Sequence, residues 1–295
     1  MPEKRTPPKF TKRFTATQLE PTPGRITPTP AGEKATRGPE REEPILSVVI
    51  PAYNEEGNIR RGTLRQVADY LAQRPFSNEL LVVDDGSEDA TADLVEQLSP
   101  PVTLIRNQHQ GKAASVRKGV LAAEARFVVF MDMDLATPVT YIDECLAQLQ
   151  EGFDVVIASR EVEGSRRRGD PMTRKLAAKT FHFLVRKLLL PDIHDSQCGF
   201  KGFRREVAQD LFKSLLVFAD HQRKIAGPMV TAFDVELLLL AQKRGYRIKE
   251  LAVIWHHIES RRVSVFKDSY RMSIQLLRVW FNNVRGRYDV RPNPL

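Results

Sequence analysis

The chain has 295 residues, 42% hydrophobic and 28% charged, the composition of an ordinary globular protein with room for one large domain or two small ones. Its 45 Lys and Arg against 37 Asp and Glu give a formal +8, which excludes a generic acidic enzyme and points to an anionic partner: nucleic acid, a phosphorylated substrate or a membrane surface. Two cysteines cannot build a disulfide framework or a four-thiolate zinc site, no apolar run reaches the roughly 18 residues of a membrane span, and no secretory signal follows M-P-E-K-R-T; a reducing compartment is expected.

Residues 1–44 hold nine of the nineteen prolines, mixed with Thr, Lys, Arg and Glu. Without apolar periodicity this stretch cannot offset its ordering entropy, and a disordered tail is expected. Nine basic minus six acidic residues give it +3, which leaves +5 on residues 45–295. From Ile45 the chain alternates. I-L-S-V-V-I (45–50) is a β-branched run closed by Pro51, as a buried strand should be, and Ile59, Leu64, Val67, Tyr70 and Leu71 predict a helix over 57–74. The spacing then predicts strand 79–84, helix 89–98, strand 102–106, helix 111–124, strand 127–132, helix 138–150 and strand 153–159. Such alternation calls for a parallel sheet with right-handed crossovers, whose ligands bind at the carboxyl ends of the strands.

After residue 160 the alternation breaks. Arg166, Arg167 and Arg168 lead into an expected amphipathic helix over 172–190, with Arg174, Lys175, Lys179, Arg186 and Lys187 bordering Met172, Leu176, Phe181, Phe183, Leu184 and Leu188. Basic plus apolar on one helix suits a membrane interface, and packing of the apolar face on the protein's own core is the competing reading. A glycine-punctuated stretch, D-S-Q-C-G-F-K-G-F (195–203), precedes expected helices near 205–216 and 232–244, a strand near 247–256 and a helix over about 266–285.

The loops that usually hold nucleotides are missing: P-A-Y-N-E-E-G-N follows the first strand, neither G-x-G-x-x-G nor a P-loop. Acidic residues stand at the strand ends instead. Glu55 and Glu56 follow strand one, Asp84 and Asp85 end strand two, and Asp132 and Asp134 end strand four in M-D-M-D-L-A. Oxygen ligands in this arrangement suit Mg²⁺ or Mn²⁺, with water and substrate phosphates completing the shell. Asp85, Asp89 and Asp134 also suit helix N-caps, but three acidic strand ends on one edge have a common explanation in a cation. Lys112 adds a positive charge at a helix start after strand three, where phosphate is favoured.

These residues resemble the family-2 glycosyltransferases of GT-A fold. I-P-A-Y-N-E-E, V-V-D-D-G-S-E-D-A-T, G-K-A-A-S-V-R-K-G and M-D-M-D-L-A-T-P look like its successive motifs. Downstream, D-S-Q-C-G-F-K-G-F-R-R-E, A-F-D-V-E-L-L and W-H-H-I-E-S-R are similar to the dolichyl-phosphate β-glucosyltransferase and polyprenyl-phosphate glycosyltransferase branch. The resemblance implies an α/β, Rossmann-like, mostly parallel sheet flanked by helices. It also implies a single domain over 45–295, with a nucleotide-sugar half to about 160 and an acceptor-side helical extension from 161. Pro51, Tyr53 and Glu55 would line the nucleoside pocket, Asp84 or Asp85 would hold base and ribose, and Lys112 and Arg117 would lie close to the nucleotide. Asp132 and Asp134 would grip the metal and diphosphate of a UDP-hexose. Asp195, Gln197 and Phe200 would line the donor–acceptor junction, and Glu259, Ser260 and Arg261 the phosphates.

The expected reaction is inverting transfer of a hexose, glucose foremost, to a polyprenyl phosphate. Asp195 is either its base or a positioning residue, because a phosphate acceptor is mostly dianionic at pH 7 and needs little base help. The expected location is the cytoplasmic face of a membrane, without a span. Transfer to a soluble acceptor is the nearest alternative. A basic nucleic-acid-binding protein is disfavoured, because carboxylates crowd the ligand edge and no aromatic–basic repeat occurs. His256 and His257 lack partner spacing for zinc, Cys198 carries no mark of a nucleophile, and Cys145 is expected in the core.

Overall fold

The computed structural model describes residues 44–99, 102–169, 172–218, 231–258 and 265–289, with backbone alone for 173–177 and 265–269. The expected tail, Pro44 apart, lies outside the described residues. β1 (Leu46–Ala52), β2 (Asn78–Asp84), β3 (Thr103–Arg106), β4 (Phe127–Met131), β5 (Val155–Ser159), β7 (Phe200–Arg204) and β8 (Ile248–Ala252) form one sheet in the order β3-β2-β1-β4-β7-β5-β8. Six strands are parallel, and β7 runs antiparallel between β4 and β5. Helices cover both faces: α1 (Glu56–Arg60), α2 (Thr63–Ala72), α3 (Thr91–Glu96), α4 (Lys112–Ala122), α5 (Tyr141–Gln150), α6 (Met172–Leu188), α7 (Arg205–Lys213), α8 (Phe233–Lys243) and α9 (Val265–Val284). A small parallel pair, β6 (Arg166–Arg168) with β9 (Ile254–His256), stands beside the main sheet.

The apolar runs follow from burial on both sides. Leu46, Val48 and Ile50 enter one core with α2 and α5, while Val49 enters the other with α4, α6, α7, α8 and α9. In the second core Phe130 meets Phe203, Phe212 and Phe233 at centroid distances of 6.0 to 6.4 Å.

Four expected elements differ in the structure. The helix over 57–74 is two, because Gly62 takes φ +83 in the left-handed region and turns the chain between α1 and α2. Arg166–Arg168, expected to lead into a helix, pair as a strand with 254–256. The strand near 247–256 splits at Val253 into β8 and β9. The glycine-punctuated stretch becomes β7, whose reversed direction brings residues 195–199 to the carboxyl edge of its neighbours.

Helices α6 and α9 pack against one another. Val185, Leu189, Leu276 and Val279 face the core, and Phe181 and Leu188 pack against it. Met172 (77%), Phe183 (62%), Leu184, Tyr270 (70%), Leu277 (55%), Trp280, Phe281 and Val284 (64%) are exposed. The apolar residues of 172–190 therefore divide between the two readings, with the Leu176 side chain outside the described residues.

Candidate active site

Strand order reverses between β1 and β4, the position where open α/β sheets bind ligands beyond their carboxyl ends. β4 delivers Asp132 and Asp134 there. Asp132 Oδ1 lies 2.5 Å from Nζ of Lys112, the first residue of α4. Asp132 Oδ2 faces Gly199 so closely that a Cβ on that residue would sit 1.9 Å away. A side chain at 199 would displace the carboxylate, which accounts for glycine just before β7.

Leu135 adopts φ +55, and the Ala136 N–H donates to Asp134 Oδ1 at 3.0 Å, which folds the strand end into a tight turn. The Asp134 pKa is pushed up to about 6, first by burial and then by Asp132, with Glu55 adding to the repulsion. A carboxyl whose pKa is raised by neighbouring carboxylates marks a site short of positive charge. Burial of the Lys112 ammonium opposes its charge, yet Asp132 and then Asp234 outweigh this and raise its pKa. Among the described residues no group of three or more His, Cys, Asp and Glu could hold a metal ion. Two carboxylates from one strand end fit a magnesium-type ion that takes its remaining ligands from water and substrate phosphates.

On the β1–β2 side, backbone and side chains stitch two loops together. Asn54 N–H donates to Ser87 Oγ (2.9 Å), Glu88 N–H to Asn54 Oδ1 (2.8 Å) and Glu55 N–H to Thr91 Oγ1 (2.7 Å). Asn58 also donates to the Glu55 carboxylate. Pro51 lies half-buried on β1 opposite Val83. Tyr53 stacks on His109, rings 3.9 Å apart and 7° from parallel.

The two aspartates of β2 separate in role. Asp85 accepts from His109 Nδ1 (2.8 Å), Asn107 Nδ2 (3.3 Å), Gln110 N–H (3.0 Å) and Gly111 N–H (2.7 Å), so it pins the loop that carries Lys112. Asp84, equally buried, accepts from Ser87 N–H at 3.2 and 3.4 Å. Arg117, expected close to the nucleotide, donates its Nε–H to the Phe212 carbonyl at 3.0 Å, where α4 packs on α7.

Arg160 directly follows β5, and its Nε and Nη2 grip Asp195 Oδ2 and Oδ1 at 2.6 and 2.9 Å. The Arg160 N–H also donates to Asp195 Oδ2 (3.0 Å), Gln197 N–H to Asp195 Oδ1 (3.1 Å), and His182 Nε2 lies 3.4 Å from Asp195 Oδ1. Burial alone would raise the Asp195 pKa, but Arg160 overrides it and holds the carboxyl well below the usual range. A carboxylate so gripped is a poor proton acceptor, and of the two roles expected for Asp195 the geometry favours positioning. Arg160 in turn lies over Trp255, 5.4 Å from its ring centre. Gln197 Nε2 is buried with no hydrogen-bond partner among the described residues.

Phe200, expected at the junction, is fully buried within β7 and packs in the core. Glu259, Ser260 and Arg261 lie outside the described residues. Cys145 is buried in the core as expected, and Cys198 is a buried free thiol 3.5 Å from Thr137 Oγ1. The sequence reading missed Arg160, Gly199, Lys201 and Asp234. Lys201 is fully buried on β7, its Nζ donating to Asp234 Oδ1 (2.5 Å) and the Cys198 carbonyl (2.6 Å). A lysine inside the apolar run F-K-G-F was the available signal for that pair.

The family model described as glycosyl transferase family 2 matches residues 47–212. The chain is 33% identical to the dolichyl-phosphate beta-glucosyltransferase of Drosophila melanogaster, covering 83% of this chain and 77% of that protein. It is 30% identical to the protein of the same name from Dictyostelium discoideum, covering 85% and 80% respectively. The fold is also that of Mycobacterium tuberculosis glucosyl-3-phosphoglycerate synthase, solved with Mn²⁺, uridine diphosphate and glucosyl-3-phosphoglycerate. That likeness has a TM-score of 0.55 at 20% identity, over 81% of this chain and 80% of that one.

Proposed function

The chain belongs to glycosyl transferase family 2 and is a GT-A glycosyltransferase, and from that premise we propose that it transfers glucose from UDP-glucose to a polyprenyl or dolichyl phosphate at a membrane surface, inverting the anomeric carbon. The observation that carries this reading is the pair of carboxylates, Asp132 and Asp134, facing Lys112 at the β1–β4 switch point. The relatives' name supports the sugar and the acceptor. The uridine diphosphate and Mn²⁺ of the structural neighbour support the donor and the ion.

Asp132 and Asp134 would hold a Mg²⁺ or Mn²⁺ ion, which would neutralise the negative charge that builds on the departing diphosphate. The remaining chemistry falls to the chain. The paired loops after β1 and β2 offer the Tyr53–His109 stack and the Asp84 carboxylate to a nucleoside. Asp85 fixes the loop that aims Lys112. On the acceptor side no proton need be removed from a phosphate dianion, so a site without a free base is sufficient. Asp195 locks Arg160 against Trp255.

Radiolabelled UDP-glucose offered with polyprenyl phosphate and Mn²⁺, followed by organic extraction, tests the reading. Label should move to the organic phase with time and enzyme. Label confined to the aqueous phase would overturn the lipid acceptor and favour a soluble phosphorylated one.

A further inference from the structure

Asp132 Oδ2 packs against Gly199 and Asp132 Oδ1 meets the Lys112 ammonium at 2.5 Å, so both oxygens of this carboxylate have neighbours before any substrate arrives. The lysine is held there from behind. Asp85 accepts the N–H groups of Gln110 and Gly111, which fixes the backbone from which the side chain of Lys112 extends. The side chain itself is about a third exposed (36%). A dication on Asp132 and Asp134 would come within a few ångströms of this ammonium, and like charges that close repel strongly.

We propose that Lys112 is a resident counter-ion of the Asp132–Asp134 pair, which excludes the divalent ion until a diphosphate brings the negative charge that lets both cations stay. The ion then enters with the nucleoside diphosphate and not ahead of it, and the two bind with a shared coupling. Once displaced, the ammonium remains within the influence of Asp234 and is free to meet phosphate oxygens. This inference rests on the assignment of Asp132 and Asp134 as the carboxylates for the ion.

The test is Mn²⁺ binding to the full chain without nucleotide, read from the electron paramagnetic resonance signal of free Mn²⁺. Lys112→Met should bind Mn²⁺ roughly tenfold or more tightly than the parent, since a neighbouring like charge is gone. Lys112→Arg, which keeps the charge, should stay within about threefold of the parent. Unchanged or weaker binding by Lys112→Met overturns the proposal, as does equal tightening by Lys112→Arg. Asp134→Asn, compared with the parent in the presence of uridine diphosphate, separates the exclusion from the site assignment. If it abolishes Mn²⁺ binding while Lys112→Met has no effect, the exclusion fails and the metal site stands. If Asp134→Asn binds Mn²⁺ as well as the parent, the site assignment itself falls.

Discussion

Asp195 shows how far residue type alone can mislead about role. A carboxylate there would suit either a general base or a positioning group, and the fork of Arg160 speaks for the second. The sign of the pKa shift carries a prediction. A carboxylate whose folded pKa is depressed contributes stability above its unfolded value of about 3.9, and that contribution is lost as pH falls through the lower folded value. Between about pH 5 and 8 the charge of Asp195 does not change, so it cannot generate an acid limb in the rate profile. Asp195→Asn should lower kcat/KM, because Arg160 loses its ionic partner, while the shape of the pH–rate profile over that range stays that of the parent. An acid limb that vanishes in the variant would restore the base assignment. Asp85 makes the same point from the other direction. Two adjacent aspartates are indistinguishable in V-V-D-D-G-S, and only the loop folded over β2 shows that one is saturated by four donors.

At the scale of elements, β7 joins the two halves of the site. It inserts antiparallel between β4 and β5, supplies Gly199 to Asp132, and sends Lys201 under the sheet to Asp234 at the start of α8. A buried ion pair is weak evidence of net stability, whereas removing one partner leaves an uncompensated charge at a cost of about 3–5 kcal/mol. Lys201→Met alone should therefore lower the melting temperature by about 10 °C. The double variant Lys201→Met/Asp234→Leu should melt closer to the parent than either single variant. Additive losses, with the double variant worst of all, would show that the two groups do not act as a pair.

The strands β1, β2, β4 and β5 were legible in the sequence because each carries a continuous apolar run buried by the helices that alternate with it, and the partly exposed edge strand β3 followed from the alternation. β7 was not, since C-G-F-K-G-F breaks the apolar run with two glycines and a lysine. Their reasons are the Asp132 carboxylate, the close approach of Cys145 to Gly202, and the partner of Lys201 33 residues away. Arg166–Arg168 likewise read as helix lead-in, because nothing local announces pairing with Ile254–His256. The acidic strand ends, by contrast, were legible as a set, since an alternating fold puts every such end on one edge.

For the whole molecule, the formal +8 must be reconciled with a ligand edge crowded by carboxylates. Among the described residues no helix is long and apolar enough to cross a membrane. Yet α6 and α9 together expose Met172, Phe183, Leu184, Tyr270, Leu277, Trp280, Phe281 and Val284, with Lys179, Arg186, Lys187 and Arg278 exposed on the same two helices and Arg285 just after α9. On α9, positions 270, 277, 281 and 284 recur at helical spacing, so they form a face in their own right. Apolar side chains of this size gain roughly 1.5–3 kcal/mol each on full burial, and each basic residue near an anionic leaflet adds about 1 kcal/mol.

Such a face suits shallow insertion with a basic rim, and the protein should co-sediment with vesicles containing anionic phospholipid and do so weakly with neutral ones. The variant Phe183→Glu/Leu277→Glu/Phe281→Glu should lose at least tenfold in vesicle partition with its melting temperature within a few degrees of the parent, because these side chains are already in water. Its KM for polyprenyl phosphate presented in vesicles should rise, while turnover of the same acceptor dispersed in detergent should hold. Equal binding of parent and variant would remove α6 and α9 from the membrane. A parallel loss with detergent-dispersed acceptor would place these side chains in the acceptor path itself.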